Sequence, residues 1–264
     1  MRLGIKNKWA LVTGGANGIG EQISLDLAKN GVNLIITSRE NKNLEKIKKK
    51  IQKYNVKFIP VRLDFLKKGW INNLKKAFKK NQNKIDILVN NAGHNLNITD
   101  PYCSKNEWNK IMDLNFYTTV EICNLVIPYM KKKNWGRIVN ITSCAGLENM
   151  GPVTYGVSKA ALTAYTRTMG RILATESKNV VMSAVFPGVV VTKGGHWDKI
   201  IKSNPKRAKD YLKERAPLGR FGKVNEISPV VLFYCSELAS FSHGAIVPVD
   251  AGQSRHYMYF NYLN

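Results

Sequence analysis

Short apolar runs alternate with amphipathic stretches along most of the 264-residue chain, and this alternation constrains the fold more than any other feature. The apolar runs are rich in Val and Ile and nearly continuous, as strands buried on both faces of a parallel sheet are. The stretches between them, for example 20–30, 43–54 and 67–81, keep the spacing of amphipathic helices. The seven predicted strands are 9–13, 32–37, 57–61, 85–89, 137–142, 180–186 and 245–249. The pattern predicts an α/β fold, a doubly wound seven-stranded parallel sheet with helices on both faces.

The chain shows neither a sequence repeat nor a linker rich in Pro, Gly or Ser, which predicts a single domain over residues 1–264. The longest irregular piece runs from about 188 to 221 and contains Gly194, Gly195 and Pro205. Because irregular segments of this length are usually lids or disordered, we expect a lid over a substrate. The C-terminal tail, 253–264, is aromatic. We expect it to pack on a neighbouring subunit or to close over a pocket.

Composition excludes several classes of protein. Hydrophobic residues make up 44% of the chain and charged residues 22%, which is typical of a globular protein and not of a disordered one. The net charge is +23, and such an excess can indicate nucleic acid, an anionic membrane or an anionic substrate. Because most of the cations are Lys spread over predicted helix faces, we interpret the charge as a compositional bias. We therefore expect no nucleic-acid partner, and the absence of a long apolar run argues against a membrane partner.

The cysteines and histidines indicate a reducing compartment and no metal site. Cys103, Cys123, Cys144 and Cys235 form no CxxC or other ligand-like spacing, and the four histidines are scattered. The early sequence is typical of a strand followed by a glycine loop and not of a signal peptide. These observations predict reduced thiols in a cytoplasmic protein without a bound metal.

A glycine-rich loop separates the first strand from the first helix. It reads Thr13-Gly14-Gly15-Ala16-Asn17-Gly18-Ile19-Gly20, and the helical pattern begins at once. Glycines at this place let the backbone approach a pyrophosphate, and the start of the helix offers N–H donors and a positive dipole. The loop predicts a dinucleotide site, with a tight strand–helix turn as the alternative.

Arg39 bears on which dinucleotide binds. The second strand ends Thr37-Ser38-Arg39-Glu40, and the strand carries no acid before Arg39. An acid in this region accepts a hydrogen bond from the ribose 2′-hydroxyl of NAD, whereas an arginine suits the 2′-phosphate of NADP. Arg39 therefore favours NADP(H), with NAD(H) as the alternative, and we expect Glu40 to point the other way. The competing interpretation of Arg39 is a surface ion pair with Glu40.

Tyr155 and Lys159 are four residues apart at the start of a long helical segment that extends to about Glu176, so they share one helix face. A free tyrosine has a pKa of roughly 10, too high for a base near neutral pH. A lysine cation on the same face stabilises the phenolate and lowers that pKa. Because this spacing is common in helices, it indicates catalysis only together with the residues around it.

Polar residues follow the predicted strands at the edge where open α/β sheets bind ligands. Ser143 follows the fifth strand, Asn91 lies in Asn90-Asn91-Ala92-Gly93 after the fourth, and Asp64 follows the third. Asn115 lies inside a predicted helix, where an asparagine is unfavourable without a local reason. Taken singly, Ser143 or Asn115 is more often structural, and Thr142 is an alternative source of the hydroxyl.

Together these motifs resemble the short-chain dehydrogenase/reductase family, in its single-domain oxidoreductase branch. The resemblance extends from about Lys8 to Gly252 and depends on the order of the motifs as well as on their residues. It rests on the loop 13–20, Asp64, Asn90–Gly93, Asn115, Ser143, Tyr155-x-x-x-Lys159, Pro187-Gly188-x-x-x-Thr192, Pro217–Gly222 and Val249–Gly252. It implies a Rossmann-type sheet, a nicotinamide cofactor, a homotetramer, and hydride transfer between a secondary alcohol and a ketone.

The resemblance also implies roles for individual residues. Tyr155 is expected to be the general acid/base, Lys159 to lower its pKa and hold the nicotinamide ribose, and Ser143 to bond the substrate oxygen. Asn115 is expected to support a water that links Lys159 to solvent. The remaining cofactor contacts are expected from Gly14, Asn17, Ile19 and Gly20 on the pyrophosphate, Asp64 and Asn91 on the adenosine, and Val190 and Thr192 on the nicotinamide.

The sequence does not identify the substrate. His94, Asn95, Asn97 and Trp197 favour a sugar or another polyhydroxylated compound, although Trp197 serves equally well to pack the lid. The alternative is a 3-oxoacyl thioester of an acyl carrier protein. An alternative of another class is a non-catalytic nucleotide-binding or regulatory protein on the same fold. Ala251 stands where many members of the family have Gly, a tolerable change unless φ is positive there.

Overall fold

A central sheet of seven parallel strands organises the computed structural model, which describes residues 2–148 and 150–255. The order across the sheet is β3-β2-β1-β4-β5-β6-β9, and β7 and β8 form a separate two-stranded sheet. The strands are β1 (Trp9–Val12), β2 (Asn33–Ser38), β3 (Phe58–Arg62), β4 (Ile87–Asn90), β5 (Gly136–Ile141), β6 (Val180–Pro187), β7 (Val190–Val191), β8 (Gly222–Lys223) and β9 (Ile246–Val249). The predicted fold is confirmed, and each of the seven predicted strands is present.

Helices cover both faces of the sheet. They are α1 (Gly18–Lys29), α2 (Asn41–Ile51), α3 (Trp70–Lys79), α4 (Lys105–Met112), α5 (Thr118–Lys133), α6 (Val153–Ser177), α7 (His196–Ser203), α8 (Pro205–Arg215) and α9 (Val224–Tyr234). Within the described part of the chain, no helix is long and apolar enough to cross a membrane.

Two hydrophobic cores, one on each face of the sheet, explain why the strand sequences are almost continuously apolar. In β2, Leu34 and Ile36 pack with α1, α2 and α9, whereas Ile35 packs with α3 and α5 on the other face. All three side chains are fully buried. A strand buried on both faces cannot alternate apolar and polar residues.

The strand order reverses between β1 and β4, where the connections diverge to opposite sides of the sheet. In open α/β sheets the carboxyl ends of the strands at such a point leave a crevice for ligands. The loops after β1 and β4 are the glycine-rich loop and Asn91-Ala92-Gly93. The fold therefore brings together two motifs that are about 75 residues apart in sequence.

The 188–221 segment corrects one expectation, because it is not irregular. It contains β7 and the two helices α7 and α8. The Asn204 side chain accepts a hydrogen bond from Arg207 N at 3.0 Å, so it caps α8, whose first residue is Pro205. In α8 only Ala208 is buried, so the helix lacks the apolar stripe by which sequence periodicity detects a helix.

The expectation for the C-terminal tail concerns residues 253–264. Gln253, Ser254 and Arg255 are described, whereas 256–264 lie outside the described residues.

Candidate active site

A cavity of about 830 Å³ occupies the crevice at the carboxyl ends of the strands. The 188–221 segment forms its opposite side through residues 188–190, residues 192–195 and Trp197. Gly20 and Asn115 are absent from its lining and lie directly behind it. The other predicted site residues all line this cavity: Gly14, Asn17, Ile19, Arg39, Asp64, Asn91, Ser143, Tyr155, Lys159, Val190 and Thr192.

Buried hydroxyl groups fix the glycine-rich loop to the neighbouring strands. Thr13 Oγ1 accepts hydrogen bonds from Asn91 N at 2.9 Å and Ala92 N at 3.0 Å. Thr37 Oγ1 accepts from Gly14 N at 3.1 Å. Gly14 has φ of +60°, in the left-handed region where a side chain is costly. The backbone of the loop is therefore held in place before any ligand binds.

The start of α1 fits an anionic ligand. Asn17 is the N-cap residue, but its side chain makes no hydrogen bond to the first turn of the helix. The first N–H groups of a helix have no partner within the helix, and the helix dipole favours an anion at this end. A Cβ on Gly18 would lie only 3.1 Å from Thr192 Cγ2, so this glycine leaves the narrow space between α1 and the 188–221 segment open. These groups fit the pyrophosphate of a dinucleotide.

Asn91 and Gly20 are placed to support the loop. Asn91 Nδ2 donates to Thr13 O at 3.0 Å and to Gly14 O at 3.2 Å, so both of its amide hydrogens are used within the protein. A Cβ on Gly20 would collide with Asn91 Nδ2 and Gly14 O. Gly20 therefore permits α1 to pack closely against the loop, one of the known tasks of such a glycine.

Arg39 lies at the rim of the cavity with two further cations that sequence reasoning missed. A smaller cavity of about 300 Å³ beside it is lined by Arg39, Lys42 and Arg62, with Glu40 and Asn41. The Glu40 carboxylate is 3.1 Å from Lys42 Nζ, so within the described residues its ion-pair partner is Lys42 and not Arg39. Arg62 ends β3 in register with Ser38 of β2, so the parallel pairing of the two strands could have predicted its place beside Arg39.

Asp64 follows β3 and lines the cavity, where its Oδ1 accepts a hydrogen bond from Leu66 N at 3.1 Å. Val190 and Thr192 line the opposite side, at the start of the 188–221 segment. Among residues 2–148 and 150–255, no group of three or more His, Cys, Asp or Glu side chains is arranged to hold a metal ion.

Asn115 has a specific local reason to interrupt a helix. It lies in a π-helical turn, Asp113–Tyr117, between α4 and α5, and it is fully buried. Its Oδ1 accepts from His94 N at 2.9 Å, and its Nδ2 donates to His94 O at 3.1 Å. Single π-helical turns within helices are frequent at functional sites. Here the turn aims the amide at the loop that follows β4.

Gly93 is the point at which Asn115 and Lys159 approach each other. A Cβ on Gly93 would lie 2.7 Å from Asn115 Oδ1 and 2.9 Å from Lys159 Nζ. Sequence reasoning included Gly93 in a motif but gave it no task. The motif alone could not reveal it, because α4, α5 and α6 supply the neighbours.

Ser143, Tyr155 and Lys159 face the same part of the cavity. Ser143 follows β5, and its Oγ accepts a hydrogen bond from Ala145 N at 3.2 Å. A Cβ on Gly146 would lie 2.7 Å from Lys159 C, so the turn after Ser143 packs directly on α6. Thr142 is buried with its hydroxyl against Val185 O at 3.4 Å, which makes Ser143 the hydroxyl available to a ligand.

Burial governs the acid–base properties of Tyr155 and Lys159. Lys159 Nζ donates to Ile141 O at 2.9 Å and lies 5.7 Å from the centre of the Tyr155 ring. Burial lowers the pKa of Lys159 to about 8. Burial raises the pKa of Tyr155 to about 12, while the neighbouring Ser143 hydroxyl acts in the opposite direction. In this state Tyr155 is a phenol, suited to donate a proton.

Trp197 lines the cavity on the side of the 188–221 segment and belongs to a cluster of aromatic side chains. The Trp197 ring lies 4.2 Å from the ring of Tyr211 and 5.0 Å from that of Phe221, measured between centroids. Trp197 also lines the cavity, so it packs this segment and faces the ligand space at once. His94 stands nearby, and its pKa is lowered by burial and by the surrounding cations Arg39 and Lys199.

This geometry is matched by comparison with known proteins. A family model described as short chain dehydrogenase matches residues 8–198. The chain belongs to the short-chain dehydrogenase family. It is an oxidoreductase of that family, and the sequence-based identification of the family is confirmed.

Relatives extend the likeness over nearly the whole chain. A 3-oxoacyl-(acyl-carrier-protein) reductase of Aquifex aeolicus is 36% identical over 96% of this chain and 99% of its own length. The solved L-sorbose reductase of Gluconobacter frateurii, in complex with NADPH and L-sorbose, has a TM-score of 0.87 at 27% identity, covering 96% of this chain and 98% of that one. A 3-oxoacyl (acyl-carrier-protein) reductase of Agrobacterium tumefaciens with NADP bound has a TM-score of 0.87 at 26% identity, covering 95% and 96%.

Proposed function

We propose that this short-chain dehydrogenase is an NADP(H)-dependent reductase of 3-oxoacyl thioesters. The observation that carries the chemistry is the convergence of Ser143, Tyr155 and Lys159 on one cavity, with Asn115 directly behind. The 36% identity over nearly the full length of the Aquifex aeolicus enzyme supports the substrate class.

Tyr155 is the proton donor in this proposal. Ser143 Oγ donates a hydrogen bond to the substrate carbonyl oxygen and orients it toward the Tyr155 phenol. When the carbonyl carbon accepts a hydride, the electron pair of the C=O π bond moves to the oxygen, which takes the proton of Tyr155. Bound NADPH would supply that hydride. Tyr155 is kept protonated by burial, which raises its pKa to about 12.

Lys159 stabilises the phenolate that Tyr155 becomes. Its pKa of about 8 leaves it mostly protonated at neutral pH, and its ammonium lies 5.7 Å from the ring centre. Asn115 holds the loop after β4 through its hydrogen bond with His94. Gly93 lies between the Asn115 side chain and Lys159 Nζ. We assign Lys159 to the nicotinamide ribose, and Val190 and Thr192 to the nicotinamide side of the cavity.

The cations at the rim support NADP(H), with NAD(H) as the alternative cofactor. Arg39, Lys42 and Arg62 surround a small cavity that continues the rim beyond the end of β2. Guanidinium groups match phosphate geometry, so a 2′-phosphate suits this place better than a bare hydroxyl. Asp64 and Asn91 belong to the adenosine side, and Gly14, Asn17, Ile19 and Gly20 to the pyrophosphate side.

A sugar or other polyhydroxylated ketone is the second candidate substrate. Trp197 offers an aromatic side chain to the cavity, and His94 offers a polar one. The fold likeness to L-sorbose reductase adds to these residues.

Steady-state kinetics with NADPH separate the two candidates. Acetoacetyl-CoA, as the soluble thioester, and L-sorbose are compared by kcat/KM with the wild-type protein and with Tyr155→Phe. The proposal expects the thioester to be reduced with the higher kcat/KM. A preference for L-sorbose would replace it with the second candidate, and turnover of neither substrate would contradict both.

The 188–221 segment is proposed as the substrate lid, since it forms the side of the cavity opposite the strand ends. These residues, 188–221, are called the lid.

We also propose a homotetramer, as the family resemblance implies. The exposed apolar residues Tyr117, Val153 and Val157, with 50%, 49% and 46% of their surface accessible, support an interface there. Light scattering on the protein as it elutes from a size-exclusion column measures the mass of the assembly and tests this proposal.

A cytoplasmic location is proposed from the cysteines. Cys103, Cys123, Cys144 and Cys235 are all free thiols. Cys123 and Cys235 are buried, which raises the pKa of each to about 12 and keeps it unreactive. Free buried thiols are usual in reducing compartments.

A further inference from the structure

Gln253 is directed into the protein by a tight turn after β9. The Asp250 carboxylate accepts hydrogen bonds from Gly252 N at 3.1 Å and Ser254 N at 2.8 Å. Ala251 and Gly252 both have positive φ, at +54° and +76°. The turn leaves only 6% of the Gln253 surface exposed, although the residue is polar and close to the end of the described chain.

The buried amide of Gln253 contacts three separate parts of the molecule. Its Oε1 accepts a hydrogen bond from Val189 N at 2.7 Å. Its Nε2 donates to the Tyr211 hydroxyl at 2.7 Å, and Cys144 Sγ lies 3.9 Å from Oε1. A Cβ on Gly188 would lie 2.8 Å from Oε1, so this glycine makes room for the amide. A buried amide with both ends bonded is well suited to hold its partners at a fixed distance.

Each of these three partners adjoins the active site. Cys144 directly follows Ser143, and Val189 is at the start of the lid, next to Val190. Tyr211 belongs to α8, and its ring packs against Trp197, which lines the cavity. The Gln253 side chain therefore connects the Ser143 loop, the first residues of the lid and the aromatic cluster around Trp197.

We propose that Gln253 is a positioning residue that holds the lid, through Val189 and Tyr211, at a fixed distance from the Ser143 loop. It thereby sets where Trp197 stands over the substrate. Gln253 itself lies outside the cavity lining, so it acts on the substrate only through these neighbours. The kinetic part of this inference rests on the proposed function.

The kinetics of Gln253→Met, Tyr211→Phe and the double variant test the coupling between Gln253 and the lid. Gln253→Met keeps the volume but removes both hydrogen bonds, and Tyr211→Phe removes one of them while keeping the ring beside Trp197. We expect each variant to raise KM for the ketone several-fold with kcat within about twofold, because a loosened lid weakens substrate binding before and during the reaction alike. The double variant is expected to be no worse than Gln253→Met, since Tyr211 has already lost its partner. Ser254→Ala, in the same turn, is the matched control with wild-type KM.

Amide hydrogen exchange provides a readout that needs no substrate. We expect faster exchange across residues 189–215 in Gln253→Met than in the Ser254→Ala control, with unchanged exchange in β1 and α1. If the wild-type protein reduced no ketone but this pattern appeared, the proposed function would fail and the positioning role would stand. Multiplicative effects of the two substitutions on KM, or a lowered Tm with unchanged KM and unchanged exchange in the lid, would overturn the proposal.

Discussion

The two walls of the cavity are built differently. The wall at the strand ends consists of backbone held by buried polar side chains, such as Thr13, Thr37 and Asn115. The lid wall consists of residues 188–190 and 192–195 and of Trp197 on α7, whose ring packs on Tyr211 of α8. In α8 only Ala208 is buried. A wall fixed by buried hydrogen bonds places reacting groups accurately, whereas a lid of exposed helices is free to vary with the substrate. In the function proposed above, the strand-end wall therefore determines the reaction class, and the lid determines the substrate.

Tyr155→Phe gives the largest expected effect and tests the strand-end wall. Removal of a general acid costs about 10²–10⁴-fold in rate. We expect kcat/KM to fall by about that factor while the Kd for NADPH, measured by nucleotide fluorescence, stays unchanged. A variant that retained most of the wild-type kcat/KM would show that another group donates the proton and that this wall does not hold the chemistry.

Lys159→Met is expected to lower activity and yet to stabilise the fold at pH 7. The native pKa of about 8 against 10.5 for the free side chain corresponds to about 3 kcal/mol of destabilisation below pH 8. Loss of the hydrogen bond from the Lys159 ammonium to the buried Ile141 O costs about 1–3 kcal/mol, so the net gain is at most about 2 kcal/mol.

The pH dependence of this gain has a definite sign. Between pH 8 and 10.5 the unfolded wild-type chain binds more protons at Lys159 than the native protein does, so wild-type stability rises with pH. The advantage of Lys159→Met should therefore shrink toward pH 10. Urea unfolding of both proteins at pH 7 and pH 9.5 measures it, and an advantage that grew with pH would contradict the burial of this lysine.

Trp197→Ala tests the lid wall. An aromatic contact is worth about 0.5–1.5 kcal/mol beyond its buried area, so kcat/KM for the ketone should fall by roughly tenfold. We expect the change mainly in KM, with the Kd for NADPH unchanged. Trp197→Phe keeps an aromatic face and serves as the control. If both variants matched the wild-type protein, the lid wall would have no part in substrate binding.

Ala251→Gly gives the smallest expected effect, at the turn that directs Gln253 toward the lid. Ala251 has φ of +54°, in the left-handed region, where alanine is less favourable than the glycine that many family members have at this position. A non-glycine residue in the left-handed region costs about 1–2 kcal/mol. We expect the glycine variant to raise the free energy of unfolding by about 1 kcal/mol in urea titrations. Gly252→Ala, where φ is +76°, is expected to lower it.

The sequence predicts the strand-end wall well because its signals are local. The buried strands, the glycine loop and the Tyr155–Lys159 spacing each follow from a short stretch of chain with a known backbone requirement. The lid was expected to be irregular, since α8 carries no apolar stripe from which a helix could be inferred. The roles of three residues depend on neighbours from other elements, which a local motif does not reveal: Gly93, Arg62 and Gln253. Arg62, for example, lies beside the end of β2 because β2 pairs with β3.

Titration of the purified protein with NADPH and with NADH, alongside Arg39→Asp, tests whether the cavity is an NADP(H) site. We predict that the wild-type protein binds NADPH more tightly than NADH, and that Arg39→Asp weakens or reverses this preference. A wild-type preference for NADH would contradict the assignment of Arg39, Lys42 and Arg62 to a 2′-phosphate. Binding of neither nucleotide would contradict the dinucleotide site and with it the proposed reductase.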